Sequence, residues 1–175
     1  MKKLLVLLLA AMAVGLTACG PAASQATPTP VVTGYEVDLP DGFVALEMEG
    51  VDRYYMNADG SNLNVLVSEK TESDDKAFGS VTADALREAL EEGFLDSLEA
   101  EVDITNVSFT QNPVDGFEAY QYTCAYALWG VEMEQFIVCV NADKLYTFTY
   151  TDTTGAWMEE FQRSGENIRF ETEAP

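Results

Sequence analysis

The chain has 175 residues, with 30 Asp or Glu against nine Lys or Arg, no histidine, and a formal net charge of −21 at pH 7. Such an acidic surface repels phosphate backbones and anionic lipid headgroups, which argues against nucleic acid and basic-patch membrane docking. The missing histidine removes His-based catalytic triads and His-containing zinc sites, while eight Tyr and nine Phe supply the aromatic surface of a folded core despite the charge.

The first eighteen residues read as a signal peptide. Lys2 and Lys3 form a positive start, and Leu4 to Leu16 is an uncharged apolar run with small residues near its end. A stable span needs roughly 18 or more apolar residues, so the run is short for a permanent helix. It ends Leu16-Thr17-Ala18-Cys19, which resembles the lipobox of bacterial lipoproteins. That resemblance implies cleavage before Cys19 and lipidation of Cys19 by covalent diacylglycerol and an N-acyl chain, with no other cofactor. It puts the chain on the outer, extracytoplasmic face of a cell membrane. One buried acyl chain binds marginally and two hold firmly, at roughly 0.8 kcal/mol per methylene, so this anchor suffices alone. The bland alternative is an ordinary secretory signal with a chance cysteine. Cleavage removes Lys2 and Lys3 and takes the net charge from −21 to −23.

Residues 19–32 read as a tether. Pro21-Ala22-Ala23-Ser24-Gln25-Ala26-Thr27-Pro28-Thr29-Pro30 has no side chains for a core and favours an extended, solvated chain. The folded domain is expected over residues 33–172, enough for one core.

Within it, Tyr35 to Leu39, Phe43 to Glu47, Val51 to Asn57 and Leu63 to Ser68 read as strands. Pro40-Asp41-Gly42 and Asn57-Ala58-Asp59-Gly60 are turns between them. Glu69 to Ser80 is polar and reads as a loop. Thr82 is the expected N-cap of a helix of about four turns, with Leu86, Leu90, Phe94 and Leu98 on one side and Glu88, Glu91, Glu92 and Asp96 on the other. Four strands follow: Val102 to Thr110, Phe117 to Leu128, Val131 to Val140 and Lys144 to Thr151. A second helix spans about Thr154 to Ser164, with Ile168 and Phe170 packing after it. The fold class is α+β, an antiparallel sheet of about six to eight strands with two covering helices.

Register follows from the turns. With Trp129-Gly130 as a two-residue turn, Leu128 faces Val131, Tyr126 faces Met133, Cys124 faces Gln135 and Tyr120 faces Cys139. A two-residue turn at Ala142-Asp143 makes Cys139 face Tyr146, Ile137 face Phe148 and Gln135 face Tyr150. Tyr120, Tyr122, Tyr126, Ile137, Tyr146, Phe148 and Tyr150 then share one face. Cys124 and Cys139 sit four residues out of step, about 13 Å at 3.3 Å per residue. A disulfide needs Cα atoms within about 7 Å, so both are expected as free, buried thiols.

Tyr35-Glu36-Val37-Asp38-Leu39-Pro40-Asp41-Gly42-Phe43 leads into strands and an amphipathic helix. A turn at Val114-Asp115-Gly116-Phe117, a strand pair, the run Asp143-Lys144-Leu145-Tyr146-Thr147-Phe148-Thr149-Tyr150 and a helix containing Phe161 follow. This order resembles the PsbP-like fold, which also includes the DcrB-like bacterial lipoproteins, over roughly Thr33 to Glu171. The resemblance implies an antiparallel sheet with helices on its faces, in a family of binding and assembly factors without shared catalytic residues.

No constellation of reactive groups stands out. Ser108 and Ser164 lie in no G-x-S-x-G pattern, and neither cysteine has a histidine base. The carboxylate pairs Asp74/Asp75, Glu91/Glu92, Glu132/Glu134 and Glu159/Glu160 mean little in so acidic a chain, although a wall-glycan hydrolase would use two of them across a cleft. Asn57-Ala58-Asp59-Gly60-Ser61-Asn62 loosely resembles the start of an EF-hand loop, making Asp59 a candidate calcium ligand, with Glu72, Asp74 and Asp75 of the polar stretch as further candidates. A plain hairpin turn and a solvated loop are the competing readings. Tyr122, Tyr126 and Trp129 are the candidate ligand-binding residues, against packing under the long helix. The expectation is a non-catalytic binding or assembly module on a membrane, with an unknown protein or small-molecule partner. A calcium-binding surface protein and a carboxylate-based hydrolase are the alternatives.

Overall fold

The computed structural model describes residues 30–173; the leader, Cys19 and most of the tether lie outside the described residues. Nine strands and three helices follow in the order β1 (Val31–Glu36), β2 (Val44–Leu46), β3 (Arg53–Met56), β4 (Asn62–Ser68), α1 (Glu72–Phe78), α2 (Ala83–Leu98), β5 (Thr105–Thr110), β6 (Glu118–Leu128), β7 (Val131–Asn141), β8 (Leu145–Asp152), α3 (Met158–Glu166) and β9 (Arg169–Glu173). Seven strands form one antiparallel sheet in the order β2-β3-β4-β8-β7-β6-β5, and β1 pairs with β9 in a separate ribbon. The architecture is the expected α+β sandwich. Among the described residues no helix is long and apolar enough to cross a membrane.

Two local readings need correction. Glu69 to Ser80 is not all loop, because Glu72–Phe78 is helical. Its N-cap Thr71 accepts from Asp74 N–H while the Asp74 carboxylate accepts the Thr71 N–H, a reciprocal capping box that starts a helix in a polar sequence. The second correction concerns β8. Its hairpin closes on the pair Asn141↔Leu145, so three residues, not two, lie in the turn. Cys139 therefore faces Thr147 and Ile137 faces Thr149. A slip of one residue moves every β8 side chain to the opposite face. The β6–β7 register is as expected, from Leu128↔Val131 to Tyr120↔Cys139.

The sheet thus has two unlike faces. On the back, Leu63, Val65, Phe136, Val138, Val140, Tyr146, Phe148 and Tyr150 pack beneath Phe161 of α3 and Tyr35 and Phe170 of the ribbon. Fully burying each such apolar side chain stabilises by about 1.5–3 kcal/mol. Helix α3 lies close because Gly165 faces the sheet; a Cβ there would stand 2.5 Å from Phe136 Cε1 and 2.9 Å from Val138 Cγ2. Tyr150 and Ser164 share a buried hydroxyl–hydroxyl bond of 3.0 Å between β8 and α3. The ribbon is pinned where Phe170 N–H donates to Asp115 Oδ2 at 2.7 Å.

On the front, Leu86, Leu90 and Phe94 of α2 and Phe78 of α1 cover Tyr120, Tyr122, Cys124, Tyr126, Ile137 and Cys139. Thr82 caps α2 by accepting the Ala85 N–H at 3.2 Å. Both cysteines are buried free thiols. Burial pushes the Cys124 thiol up to about 12 and raises that of Cys139 as well, so both behave as inert apolar side chains.

Candidate functional site

Helix α3 covers only part of the back face. Toward the β6–β7 turn the face stays uncovered and forms a half-open trough of about 800 Å³. The register explains its floor. Ala125 pairs with Thr105 and Glu134, Ala127 with Glu132, and Glu134 with Asp152, so all of these side chains share the back face. The two alanines leave depth, the loop from Thr153 to Gly155 walls one side, and Asp103 and Asn106 wall the other.

Gly130 of the Trp129-Gly130 turn lines the end of the trough, and Trp129 stands beside it, outside the lining. Both residues have positive φ, 53° and 81°, as a type I′ two-residue hairpin requires. Asn, Asp or Gly normally holds the first position, because a bulky L side chain there is strained by about 1–2 kcal/mol. Trp129 is also 55% exposed and its neighbour Val131 39% exposed. A large indole in a strained, solvent-facing place adds nothing to the core. Strain of this kind is characteristic of binding sites rather than scaffold.

Asp152 closes the trough at the start of its loop. Its carboxylate accepts Thr154 N–H (2.9 Å), Thr154 O–H (3.0 Å), Gly155 N–H (2.9 Å) and Trp157 N–H (2.6 Å). Burial pushes the carboxyl up, but these donors outweigh it and hold it below its ordinary value. Asp152 is therefore an ionised bracket for the loop, with its oxygens engaged.

The other sequence-proposed residues are spread over the molecule. Tyr122 and Tyr126 lie beneath α2 on the front, and Tyr126 packs on Phe94 at 4.8 Å between ring centroids. Of the three, only Tyr126 also borders the trough; Tyr122 does not. Asp59 serves its own turn: Oδ1 accepts Ser61 N–H at 3.0 Å and Oδ2 accepts the Trp157 indole N–H at 3.0 Å. Burial slightly opposes, and these bonds together lower, its carboxyl from the ordinary range. Asp74 belongs to the α1 capping box, whose backbone and side-chain bonds from Thr71 hold its carboxyl low. Asp75 pairs with Lys70 at 2.7 Å, and Glu72 begins α1. Among the described residues no three Cys, Asp or Glu side chains gather to hold a metal ion. Sequence reasoning passed over Asp152, although Asp-Thr-Thr-Gly after a strand is a turn signal in which Asp oxygens bond nearby N–H groups.

A second irregularity lies on the front face. Asn62 Oδ1, Asn64 Oδ1, Thr149 Oγ1 and the hydroxyls of Tyr122 and Tyr126 are sheltered from solvent and have no hydrogen-bond partner within the protein. Each that no water answers costs about 1–3 kcal/mol, and the back face has none among the described residues.

One solved structure shares the fold, and a second match is weaker. The solution structure of cyanobacterial PsbP (CyanoP) from Synechocystis sp. PCC 6803 is similar, at 17% identity over 87% of this chain and 98% of that one, with a TM-score of 0.61. LpqN, described as involved in cell envelope biogenesis of Mycobacterium tuberculosis, matches at 15% identity over 83% of this chain and 90% of its own, with a TM-score of 0.47. Among curated proteins there is no match. The family model described as PsbP matches residues 31–168, and the chain belongs to the PsbP family.

Proposed function

We propose that the protein is a non-catalytic binding module, held by lipid on Cys19 at the outer face of a cell membrane, that docks a partner through the Trp129 hairpin and its adjoining trough. The observation that carries this reading is Trp129 itself, exposed at a position where its own backbone disfavours it. Exposed aromatic anchors beside a concavity are the usual hot spots of docking surfaces. Membership of the PsbP family, an accessory rather than catalytic group in the resemblance above, supports the same view. Glu132, Glu134 and Asp103 give the trough a negative lining, so a partner that presents Lys or Arg is favoured in approach.

The test uses the full chain, immobilised and exposed to solubilised membranes of its own cell. Trp129→Asn suits the turn better and is expected to raise stability by about 1 kcal/mol while cutting partner recovery at least tenfold. Unchanged recovery would sink the docking reading. Mass spectrometry of the protein taken from cells checks the anchor: an amino terminus other than an acylated Cys19 overturns the location.

A further inference from the structure

The uncovered end of the back face has a shape set by strand lengths. Strand β8 stops at Asp152, opposite Glu134, and β5 begins at Thr105, opposite Ala125. The β6–β7 hairpin runs on past both, so its residues from Tyr126 to Met133 pair only with each other. The back of this tongue is the floor of the trough, where Ala127, Glu132 and Glu134 are exposed and Ala125 is half-buried. A Cβ on Gly130 would meet nothing within 4 Å, which leaves the trough open at the turn. Walled on both sides and open there, it runs with the strands from Ala125 to Gly130, about five residues or roughly 16 Å.

The charge inside it is unanswered. Glu132 and Glu134 stand on one face of β7, about 7 Å apart along the strand, and Asp103 stands on the facing wall. Among the described residues no Lys or Arg pairs with any of the three, since the ion pairs take up Asp75, Asp84, Glu69 and Glu159. Glu134 also lies directly across from Asp152, a like-charge placement that weakens a ladder.

We infer that the trough takes an extended basic segment of a partner protein, laid along the hairpin with Lys or Arg at alternate positions against Glu132 and Glu134. This rests on the docking reading above and gives its partner a sequence pattern. In an extended chain, side chains two residues apart point the same way and stand about 7 Å apart, the spacing of the two carboxylates. The alanine floor gives the aliphatic stems of those side chains apolar surface to lie on. Trp129, beside the open end, offers its indole face to a further cation where the segment leaves. A free polyamine brings the same charges on a thin chain that leaves much of the 800 Å³ unfilled.

The experiment is an NMR titration of the isotope-labelled full chain, in zwitterionic detergent and low-salt buffer. The probes are two blocked peptides of one composition, Thr-Lys-Thr-Lys-Thr and Thr-Lys-Lys-Thr-Thr, and spermidine. The expected result is saturable shifts at Ala125, Ala127, Glu132 and Glu134, with the alternating peptide bound at least fivefold tighter than either other probe. Glu132→Gln with Glu134→Gln is expected to weaken it more than tenfold. Glu88→Gln with Glu92→Gln, the same change of charge at exposed positions of α2, is expected to leave it unchanged. Ala127→Leu, which keeps every charge and fills the floor, is expected to weaken it severalfold. Equal binding of the two peptides, spermidine bound as tightly, an equal loss in both glutamine pairs, binding untouched by Ala127→Leu, or no shift at all overturns the basic segment. The docking reading is judged apart, by recovery from membranes. Recovery lost with Trp129→Asn while the peptides show no preference drops the basic segment and keeps the docking site; recovery unchanged drops both.

Discussion

The two faces of the central sheet are built to different standards. The back face, beneath α3 and the β1–β9 ribbon, is aromatic and aliphatic, and its buried hydroxyls on Tyr150 and Ser164 bond to each other. The front face is as apolar only under α1 and α2, and even there the hydroxyls of Tyr122 and Tyr126 have no protein partner. Toward β4 it turns to Asn62, Asn64, Thr147, Thr149 and Thr151, several with unanswered oxygens. A face selected for stability alone would not keep such groups, since replacing them by apolar ones of the same shape is neutral or stabilising. The two cores are similar in size, and the difference lies in how fully their buried polar groups are answered.

That contrast can be broken by mutation, beginning with the strongest effect. Phe148→Ala on the back is expected to cost about 3–5 kcal/mol in urea unfolding, the range for emptying a fully buried aromatic site. Asp152→Ala strips four donors of their acceptor and is expected to cost about 2–3 kcal/mol at neutral pH. Its folded value is lowered, so the stabilisation is present above the unfolded value of 3.8 and is lost as pH falls through the folded value. Wild type and variant should therefore converge in acid. A gap of the same size at pH 2 and pH 7 would contradict the ionised bracket. Gly165→Ala drives a methyl into Phe136 and Val138 and is expected to cost about 1–3 kcal/mol. Thr149→Val on the front has the smallest expected effect, from no change to a gain of about 1 kcal/mol by thermal melting. A loss of more than about 1 kcal/mol there would erase the distinction between the faces.

Much of this arrangement was legible in the sequence. The Trp129-Gly130 turn set the β6–β7 register correctly, because two residues at the end of matching apolar alternation leave little freedom. The next turn did not, since Ala142, Asp143 and Lys144 hold no Gly or Pro to mark a turn length. The extra turn residue put Tyr146, Phe148 and Tyr150 on the back, when alternation alone had grouped them with Tyr120 and Tyr122. The same extra residue turns Thr147 and Thr149 to the front, opposite Cys139 and Ile137. Helix α1 has almost no apolar periodicity; its only local sign is Thr71 three residues before Asp74. Trp129 was visible as a residue near an edge, but its positive φ and its trough depend on strands far apart in sequence.

The pairing of β1 with β9 bears on the order of events in synthesis. Val31 meets Glu173 and Glu36 meets Arg169, so the earliest strand of the domain waits for the latest before it has a neighbour. A ribosome delivers some 5–20 residues each second. The opening strand is thus left single for several seconds at least, and the back of the sheet lacks Phe170 for as long. The ribbon is therefore the last sheet of the domain that can close, after every strand of the central sheet has been made.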